Sequence, residues 1–217
     1  DPANIDAVLI THDHGDHTKG LGVVMRGLAR MGRQPLVYAA DETVRASKAI
    51  QDATSSCETR SFRPEECLTA AGISIFPFAT SHDAAASFGF RFEANGDAAG
   101  FMTDTGIVTP QAHAHLADVR LLALESNHDP KMLSEGPYPY VVKQRIASDK
   151  GHLSNEQAAE ELASLLSNRL QAVAAMHVSE NNNEYDLALR GFRAVMEREG
   201  CAARVTCGYQ GRLSTLA

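Results

Sequence analysis

Apolar segments with the spacing of β-strands alternate with amphipathic helical segments along almost all of this 217-residue chain. Such alternation is typical of an α/β protein, because helices that follow strands cover the faces of a sheet. Strands are predicted over residues 5–11, 35–40, 72–80, 87–94, 98–104, 119–126 and 170–179. Helices are predicted over residues 20–32, 41–50, 110–117, 139–147, 155–168 and 184–200. No linker composition divides the chain, so the sequence predicts one domain over residues 1–217.

Local signals at the element ends refine this outline. Asn95-Gly96-Asp97 separates two predicted strands and indicates a hairpin turn. Asp41 stands at the start of the helix predicted over 41–50 and is a candidate N-cap. The chain starts at Asp1 instead of a methionine and enters an amphipathic unit almost at once. We therefore expect an N-terminal portion of the domain to be missing.

Composition sets limits on the class of protein. The apolar fraction of 44% and the charged fraction of 22% are ordinary for a soluble globular protein, and no apolar run is long enough to cross a bilayer. The net charge of −7 argues against a general affinity for nucleic acid but leaves room for a local basic patch. The four cysteines have neither C-x-x-C nor zinc-finger spacing, which favours reduced thiols in a cytoplasmic protein.

Histidine and aspartate recur where the predicted strands end. The densest example is "THDHGDH" at residues 11–17, directly after the first strand, and single cases follow at His82, Asp104, His128 and His177. In α/β folds, the loops at strand ends are where binding and catalytic sites are built. These loops are therefore the candidate functional region.

The 11–17 segment has the composition of a metal-binding loop. His12 and His14 are two residues apart, so both point the same way in an extended segment. Asp16 and His17 face a second position once the chain turns at Gly15. Neutral imidazoles and a carboxylate are ligands that suit Zn²⁺, Mn²⁺ or Fe. The alternative is a solvated polar loop, but an H-x-H-x-D-H pattern arises by chance far less readily than a lone histidine pair.

Two metal ions need more ligands than one loop supplies. His82 can complete the first site, His177 the second, and the two oxygens of Asp104 can bridge both ions. Each of these residues taken alone would more often be structural. The predicted ligands of two divalent transition-metal ions, Zn or Mn with Fe as a further candidate, are His12, His14, Asp16, His17, His82, Asp104 and His177.

This succession of motifs resembles the metallo-β-lactamase superfamily. "THDHGDH", a strand-end histidine, "TDTG" and a second strand-end histidine carry the resemblance, which runs from about residue 5 to about residue 210. It implies an αββα four-layer sandwich with a two-metal site at the sheet edge. Members normally carry further strands before the first motif, so the resemblance implies that this chain lacks its first N-terminal strands.

Two longer segments resemble one branch of that superfamily. "LESNHDPKMLSEGPYPYVVKQRIASDKGHLSN" (124–155) and "HVSENNNEYDLA" (177–188) are similar to motifs of the WalJ/YycJ-type subfamily, which is associated with 5′→3′ DNA exonuclease activity. "SDKGHLSNEQ" followed by "AMHVS" also resembles the paired histidine motifs of ribonuclease J and related nucleases. That likeness implies that His177 binds metal and that His152 acts on the phosphate.

The sequence thus predicts a two-metal phosphodiesterase, most simply a DNA exonuclease, with a metal-bridging hydroxide as nucleophile. Asp16 is expected to orient that hydroxide as well as bind metal, and His152 to donate a proton to the leaving oxygen. His128, Lys150 and Asn155 are candidate substrate contacts.

Other readings of the same motifs stay open. The basic residues of segment 131–150, which are Lys131, Lys143, Arg145 and Lys150, form either a phosphate track or a solvated face. A hydrolase of small esters, lactones or thioesters would use the same metals, and a low-turnover metal-binding regulator is a second alternative. Nucleic acid is the expected partner and a membrane is not, while the oligomeric state is left open.

Overall fold

The computed structural model describes residues 2–216, which divide into two compact units. The first unit comprises residues 2–79 and 84–88, and the second comprises residues 80–83 and 89–216. Two compact units can belong to one domain, so the single domain predicted from the sequence stays a prediction. Within the described residues, no helix is long and apolar enough to cross a membrane.

The first unit is built on a small parallel sheet. The strands of this unit are β1 (Ala7–Leu9), β2 (Leu36–Tyr38) and β3 (Thr59–Arg60), which form that sheet, and β4 (Leu68–Ala70) and β5 (Ile73–Ala79), which do not belong to it. Its helices are α1 (Gly15–Thr18), α2 (Leu21–Arg30), α3 (Asp41–Ala46) and α4 (Lys48–Thr54), after a 3₁₀ turn at Pro2–Asn4. Strands β1, β2 and β3 pair in parallel in that order, and β4 pairs with β5 antiparallel.

Apolar side chains on α2, α4 and the parallel strands form the core of this unit. Leu21 and Met25 lie one helical turn apart on α2 and pack with Val37 of β2 and Ile50 of α4. The strand predicted over residues 5–11 is confirmed, but it is shorter than predicted and runs from Ala7 to Leu9. The backbone beyond it leads into α1, and this transition holds the 11–17 motif.

The single helix predicted over residues 41–50 is wrong. The chain forms α3 and α4 instead, because Ser47 has an extended backbone (φ −122°, ψ 109°) that no α-helix accommodates. The Ser47 hydroxyl accepts a hydrogen bond from the Ile50 N–H and so caps α4. Asp41 is the first residue of α3 instead of its N-cap, which is Ala40.

The second unit contains a larger mixed sheet. Its strands are β6 (Phe88–Ala94), β7 (Asp97–Met102), β8 (Leu121–Glu125), β9 (Ala172–Met176) and β10 (Arg204–Cys207). Its helices are α5 (Pro110–Leu116), α6 (Pro130–Glu135), α7 (Tyr140–Ile146), α8 (Asn155–Leu165) and α9 (Tyr185–Arg198). The strand order is β10-β9-β8-β7-β6, antiparallel between β6 and β7 and parallel elsewhere.

The hairpin predicted between β6 and β7 is confirmed. Ala94 pairs with Asp97, so Asn95 and Gly96 are the two turn residues. Both have positive φ, 52° and 76°, as a two-residue type I′ turn requires. This turn brings β7 beside β6 and sets the register of the sheet.

Parallel pairing places the carboxyl ends of three strands at the same edge. In register, Met102 of β7 faces Leu124 of β8, and Glu125 of β8 faces Met176 of β9. The residues that follow each strand therefore emerge side by side. Asp104 and His177 lie at this edge, as the strand-end pattern predicts, and Glu125 lies beside them. The α/β class predicted from the sequence is confirmed.

Candidate metal centre

Three imidazoles of the 11–17 motif cluster within the first unit. The ring of His12 lies 4.8 Å from the ring of His14 and 4.2 Å from the ring of His17, measured between centroids. His12 is fully buried, whereas His14 and His17 are partly exposed. The grouping arises because the chain leaves β1 at Leu9 and starts α1 at Gly15. The turn into this helix brings His17 back over His12. The structure therefore brings together the histidines that the sequence predicts as ligands.

The two aspartates of this motif differ in their surroundings. Asp16 is exposed, and one carboxylate oxygen lies 3.5 Å from the His17 Nε2. Asp13 accepts a hydrogen bond from the Ala85 N–H at 3.0 Å. Asp13 therefore braces the 84–88 segment, whereas Asp16 stays beside the imidazoles. Metal binding by Asp16 stays a prediction.

In the second unit, one buried carboxylate oxygen is surrounded by imidazoles. The Asp104 Oδ1 lies 3.5 Å from His177 Nδ1, 3.7 Å from His82 Nε2 and 3.8 Å from His152 Nδ1. The Asp104 side chain is only 2% exposed. A carboxylate among three imidazoles in a buried pocket is the donor set that divalent transition metals use.

The backbone at two of these residues is strained. Asp104 has φ 59° and His177 has φ 54°, a left-handed conformation that is uncommon for residues other than glycine. Each residue lies just past the end of its strand, β7 or β9. Strain of this kind persists where the surroundings hold it and is concentrated at functional sites. The turn directs both side chains to the sheet edge.

Glu125, which the sequence analysis did not identify, organises this cluster. Its carboxylate is fully buried at the end of β8. Its Oε1 lies 2.9 Å from the Nδ1 atoms of both His152 and His177. Its Oε2 accepts hydrogen bonds from the Thr105 N–H at 3.1 Å and from the Leu153 N–H at 3.2 Å. Four donors thus satisfy a buried charge that would otherwise be costly.

These hydrogen bonds determine which nitrogen of each imidazole ring stays available to bind a metal or a proton. A carboxylate accepts and never donates when ionised, so His152 and His177 donate through Nδ1 and keep a lone pair on Nε2. His82 follows the same rule, because its Nδ1 donates to the Gly151 carbonyl at 3.0 Å. All three imidazoles are therefore oriented with Nε2 as the atom that can bind a metal or exchange a proton.

The protonation states agree with a metal-binding cluster. Burial lowers the pKa of the His82 imidazole, and the nearby Asp104 carboxylate offsets only part of that effect. Burial alone would raise the pKa of the Glu125 carboxyl, but the hydrogen bonds from His152 and His177 outweigh it and lower that pKa below its usual range. At neutral pH, His82 is therefore neutral and Glu125 is ionised, which is the form each needs beside a metal.

The three predicted substrate contacts differ in how far their side chains are exposed to solvent. His128 is 3% exposed, and burial lowers its pKa to about 4. The Asn155 side chain is also buried and is engaged with Ser126 and Asn183. Lys150 is exposed. Substrate binding by all three stays a prediction. The geometry favours Lys150, because the side chains of His128 and Asn155 have little contact with solvent.

The residues of the second unit fit a divalent metal ion. Asp104, Glu125, His152 and His177 each place one ligand atom within 4.8 Å of the others. The sequence signal for Glu125 is a single acid at the end of the apolar strand "VRLLALE". An acid at that position is expected to be buried and therefore paired. Spacing alone does not show which groups pair with it.

Replacing Glu125 by glutamine should weaken metal binding and lower stability. The amide nitrogen of glutamine would face N–H donors, so buried donors would lose partners at a cost of roughly 1–3 kcal/mol in the free energy of unfolding. Metal affinity should fall roughly 10- to 100-fold, because both imidazoles lose their orienting carboxylate. Chelator competition and urea denaturation measure the two effects.

Glu161→Gln is the matched control for Glu125→Gln. The Glu161 carboxylate is paired with His113 at 2.8 Å and is not part of the Asp104 cluster. Its replacement should leave metal affinity unchanged. Wild-type metal affinity in Glu125→Gln would show that this carboxylate does not orient the ligands.

Comparisons with known proteins agree with the geometry. The profile of the Beta-lactamase superfamily domain matches residues 1–177. Exodeoxyribonuclease YycJ of Bacillus anthracis is 34% identical over 197 residues, covering 91% of this chain and 73% of that protein. Exodeoxyribonuclease WalJ of Streptococcus pneumoniae is 37% identical over 190 residues, covering 86% of this chain and 68% of that protein.

A solved structure shows the same fold at lower identity. The metallo-β-lactamase fold protein YhfI from Bacillus subtilis superposes with a TM-score of 0.70 at 18% identity, covering 95% of this chain and 76% of that protein. The predicted metallo-β-lactamase fold and the predicted subfamily are confirmed. The chain therefore belongs to the metallo-β-lactamase superfamily, within its WalJ/YycJ-type subfamily, and is a metal-dependent hydrolase.

Proposed function

We propose that this protein is a two-metal phosphodiesterase that degrades DNA as a 5′→3′ exonuclease. The observation that carries the proposal is the Asp104 cluster, in which Glu125 orients His152 and His177 at one sheet edge. Phosphodiester hydrolysis needs two kinds of group at such an edge. One kind holds metal, and the other moves a proton at the leaving oxygen.

The ligand assignment in this proposal follows the sequence prediction. His12, His14 and His82 would hold one ion, Asp16, His17 and His177 the other, and Asp104 would bridge them. When bound, two divalent ions supply a nucleophilic water at neutral pH and neutralise the charge of the phosphate. Zinc, manganese and iron all suit imidazole and carboxylate ligands. The choice among them is not part of the proposal.

The chain's own residues supply the remaining functions. The His152 Nδ1 is committed to Glu125, so Nε2 is the free ring nitrogen, and in the doubly protonated imidazolium form it would carry the proton that goes to the leaving oxygen. Lys150, two residues earlier and exposed, adds positive charge where a phosphate would approach. Asp16, also exposed, would orient the attacking water in addition to its role as a ligand.

DNA is proposed as the substrate because of the relatives. Two proteins named exodeoxyribonucleases are 34% and 37% identical over 91% and 86% of this chain. The match to the family model runs over residues 1–177, which include every predicted ligand and His152. A cytoplasmic location is part of the proposal and is favoured by the four free cysteines.

A nuclease assay with end-labelled substrates tests this proposal. The protein is incubated with Mn²⁺ or Zn²⁺ and with single- and double-stranded DNA and RNA of one sequence, labelled at either the 5′ or the 3′ end. We expect a chelator-sensitive loss of DNA from the 5′ end. Small ester, lactone and thioester substrates are tested in parallel.

The alternatives give different results in the same assay. Hydrolysis of an ester, lactone or thioester with intact DNA would identify a small-molecule hydrolase instead. Metal binding without turnover of any substrate would identify a regulatory protein. Cleavage from the 3′ end would overturn the polarity but leave the phosphodiesterase activity standing.

A further inference from the structure

Helix α7 presents large apolar side chains to solvent. Tyr140 is 74% exposed and Val141 is 77% exposed, at the first two positions of the helix. Each of the seven described residues of α7 is exposed or only half-buried. The helix therefore contributes little to the core, and burial does not account for its apolar residues. Adjacent exposed apolar side chains mark binding surfaces more often than scattered ones.

The carboxyl end of α7 is fixed directly to the segment that carries His152. The His152 N–H donates to the Ile146 carbonyl at 2.9 Å, and the Gly151 N–H donates to the Ser148 carbonyl at 2.8 Å. A Cβ atom at position 151 would lie 2.1 Å from the Ile146 carbonyl oxygen, so only glycine permits this approach. The exposed helix and the candidate proton donor therefore form one connected structure.

Neighbouring residues hold this connection in place. The Arg145 guanidinium forms an ion pair with the Asp83 carboxylate, with its Nη2 3.0 Å from Oδ1. The Ser81 hydroxyl donates to the Asp149 carbonyl at 2.7 Å. These contacts link both ends of the 145–149 segment to residues beside His82. The surface of α7 is therefore presented in a defined position relative to the Asp104 cluster.

The local charge differs from that of the whole protein. Residues 136–148 include Lys143 and Arg145, of which Arg145 is paired with Asp83, and Glu135 and Asp149 directly flank the segment, whereas the chain as a whole has a net charge of −7. The exposed Lys131 and Lys150 lie on either side of this segment in the sequence. Over residues 131–150 four basic residues stand against two acidic ones, and a net positive segment on an acidic protein complements a polyanion.

A second tyrosine stands beside the first. The Tyr138 hydroxyl accepts a hydrogen bond from the Asn181 side-chain amide at 2.9 Å, which restricts the ring, and the residue is half-buried. Pro139 separates it from Tyr140 and fixes an extended turn (φ −55°, ψ 148°). Aromatic rings among basic residues are the elements with which proteins bind unpaired bases.

We propose that Tyr138, Tyr140 and Val141 form a stacking surface for the unpaired bases at a DNA end. The inference rests on the proposed nuclease function and names the form of DNA that the site prefers. Basic residues along the segment contact the backbone, and the strand leads toward His152.

Binding of the metal-loaded protein to cleavage-resistant DNA tests this inference. The probes are phosphorothioate-protected duplexes with a single-stranded 5′ overhang, with blunt ends, or with abasic sites in place of the overhang bases. Fluorescence anisotropy should show the overhang bound roughly 5- to 100-fold more tightly than the blunt or abasic probe, the range of one to a few stacking contacts. This comparison uses the wild-type chain and so does not depend on a variant.

Variants assign the preference to α7. Tyr140→Ala should lose most of the discrimination between the intact and the abasic overhang, whereas Tyr140→Phe, which keeps the ring, should retain it. Val23→Ala, which changes a residue 65% exposed on α2, should behave as wild type. Hydrolysis of a nitrophenyl phosphodiester should be the same in all four proteins, because that substrate has no unpaired base.

Each outcome has a distinct meaning. Equal wild-type affinity for the intact and abasic overhangs, or full discrimination in Tyr140→Ala, would overturn the stacking surface. Loss of binding to anionic lipid vesicles in Tyr140→Ala, with unchanged DNA binding, would assign the surface to a membrane and overturn it equally. If Tyr140→Ala cleaves overhang DNA as fast as the wild type, the stacking surface is refuted and the proposed function stands. If the wild type hydrolyses the nitrophenyl phosphodiester but leaves DNA intact, the proposed function is refuted.

Discussion

The Asp104→Ala variant is expected to lose both metal ions and at least roughly a thousandfold in turnover, because the proposed two-metal catalysis depends on the carboxylate that would bridge the ions. The Asp104 carboxylate is 2% exposed, and its Oδ1 lies within 3.8 Å of three imidazole nitrogens. Elemental analysis should find close to two ions in the wild-type protein. DNA hydrolysis at saturating metal gives the rate.

Two further variants separate metal loss from backbone strain. Asp118 has φ 54°, close to the 59° of Asp104, but its carboxylate is exposed. Asp118→Ala therefore reports the cost of alanine in a left-handed conformation without a ligand change, and it should keep its metals. Asp104→Asn keeps the shape of the side chain and should still lose activity. Unchanged turnover in Asp104→Ala at saturating metal would rule out a bridging role.

His152→Ala is expected to keep both metal ions and the fold while losing roughly 10²- to 10⁴-fold in turnover on DNA, the range for a lost general acid. The His152 Nδ1 donates to Glu125, so in the doubly protonated imidazolium form Nε2 holds the proton that can be given up. The loss should be smaller on a nitrophenyl phosphodiester, because that leaving oxygen needs no proton. Metal content and both rates are measured on the same variant.

The possible results assign His152 to one of three roles. His152 lies in the same group of potential ligand atoms as His177, so loss of a metal from His152→Ala would identify it as a ligand. Equal rate losses on the two substrates would identify a phosphate-binding residue. His177→Ala should lose metal, and His113→Ala, which removes an imidazole paired with Glu161, should match wild type.

Local sequence pattern determined the α/β class and most of the elements. Apolar periodicity located the strands around 72–80, 87–94 and 119–126, and the Asn95-Gly96 turn fixed the hairpin between β6 and β7. The H-x-H-x-D-H motif predicts a metal-binding loop, and its three histidines cluster in the structure. Each of these signals lies within a few residues of the chain, so its physical cause is local and visible in the sequence.

Short elements were harder to predict because caps and pairing partners decide them. The break between α3 and α4 depends on the backbone of Ser47, and α6 depends on the Asp129 cap at its N-terminus. Strands β4 and β10 are too short for a clear alternation and exist because a neighbouring strand pairs with them. Their stability is contributed by residues distant in sequence.

Only the tertiary structure decided how the candidate site is organised. Glu125 bonds to Thr105, Leu153, His152 and His177, which are 20 to 52 residues away in the chain. No sequence period links these positions, because parallel pairing of β7, β8 and β9 brings them to one edge. The sequence thus determined which chemical groups the site contains. The sheet register determined their hydrogen-bond partners, because a buried charge is stable only where folding surrounds it with donors.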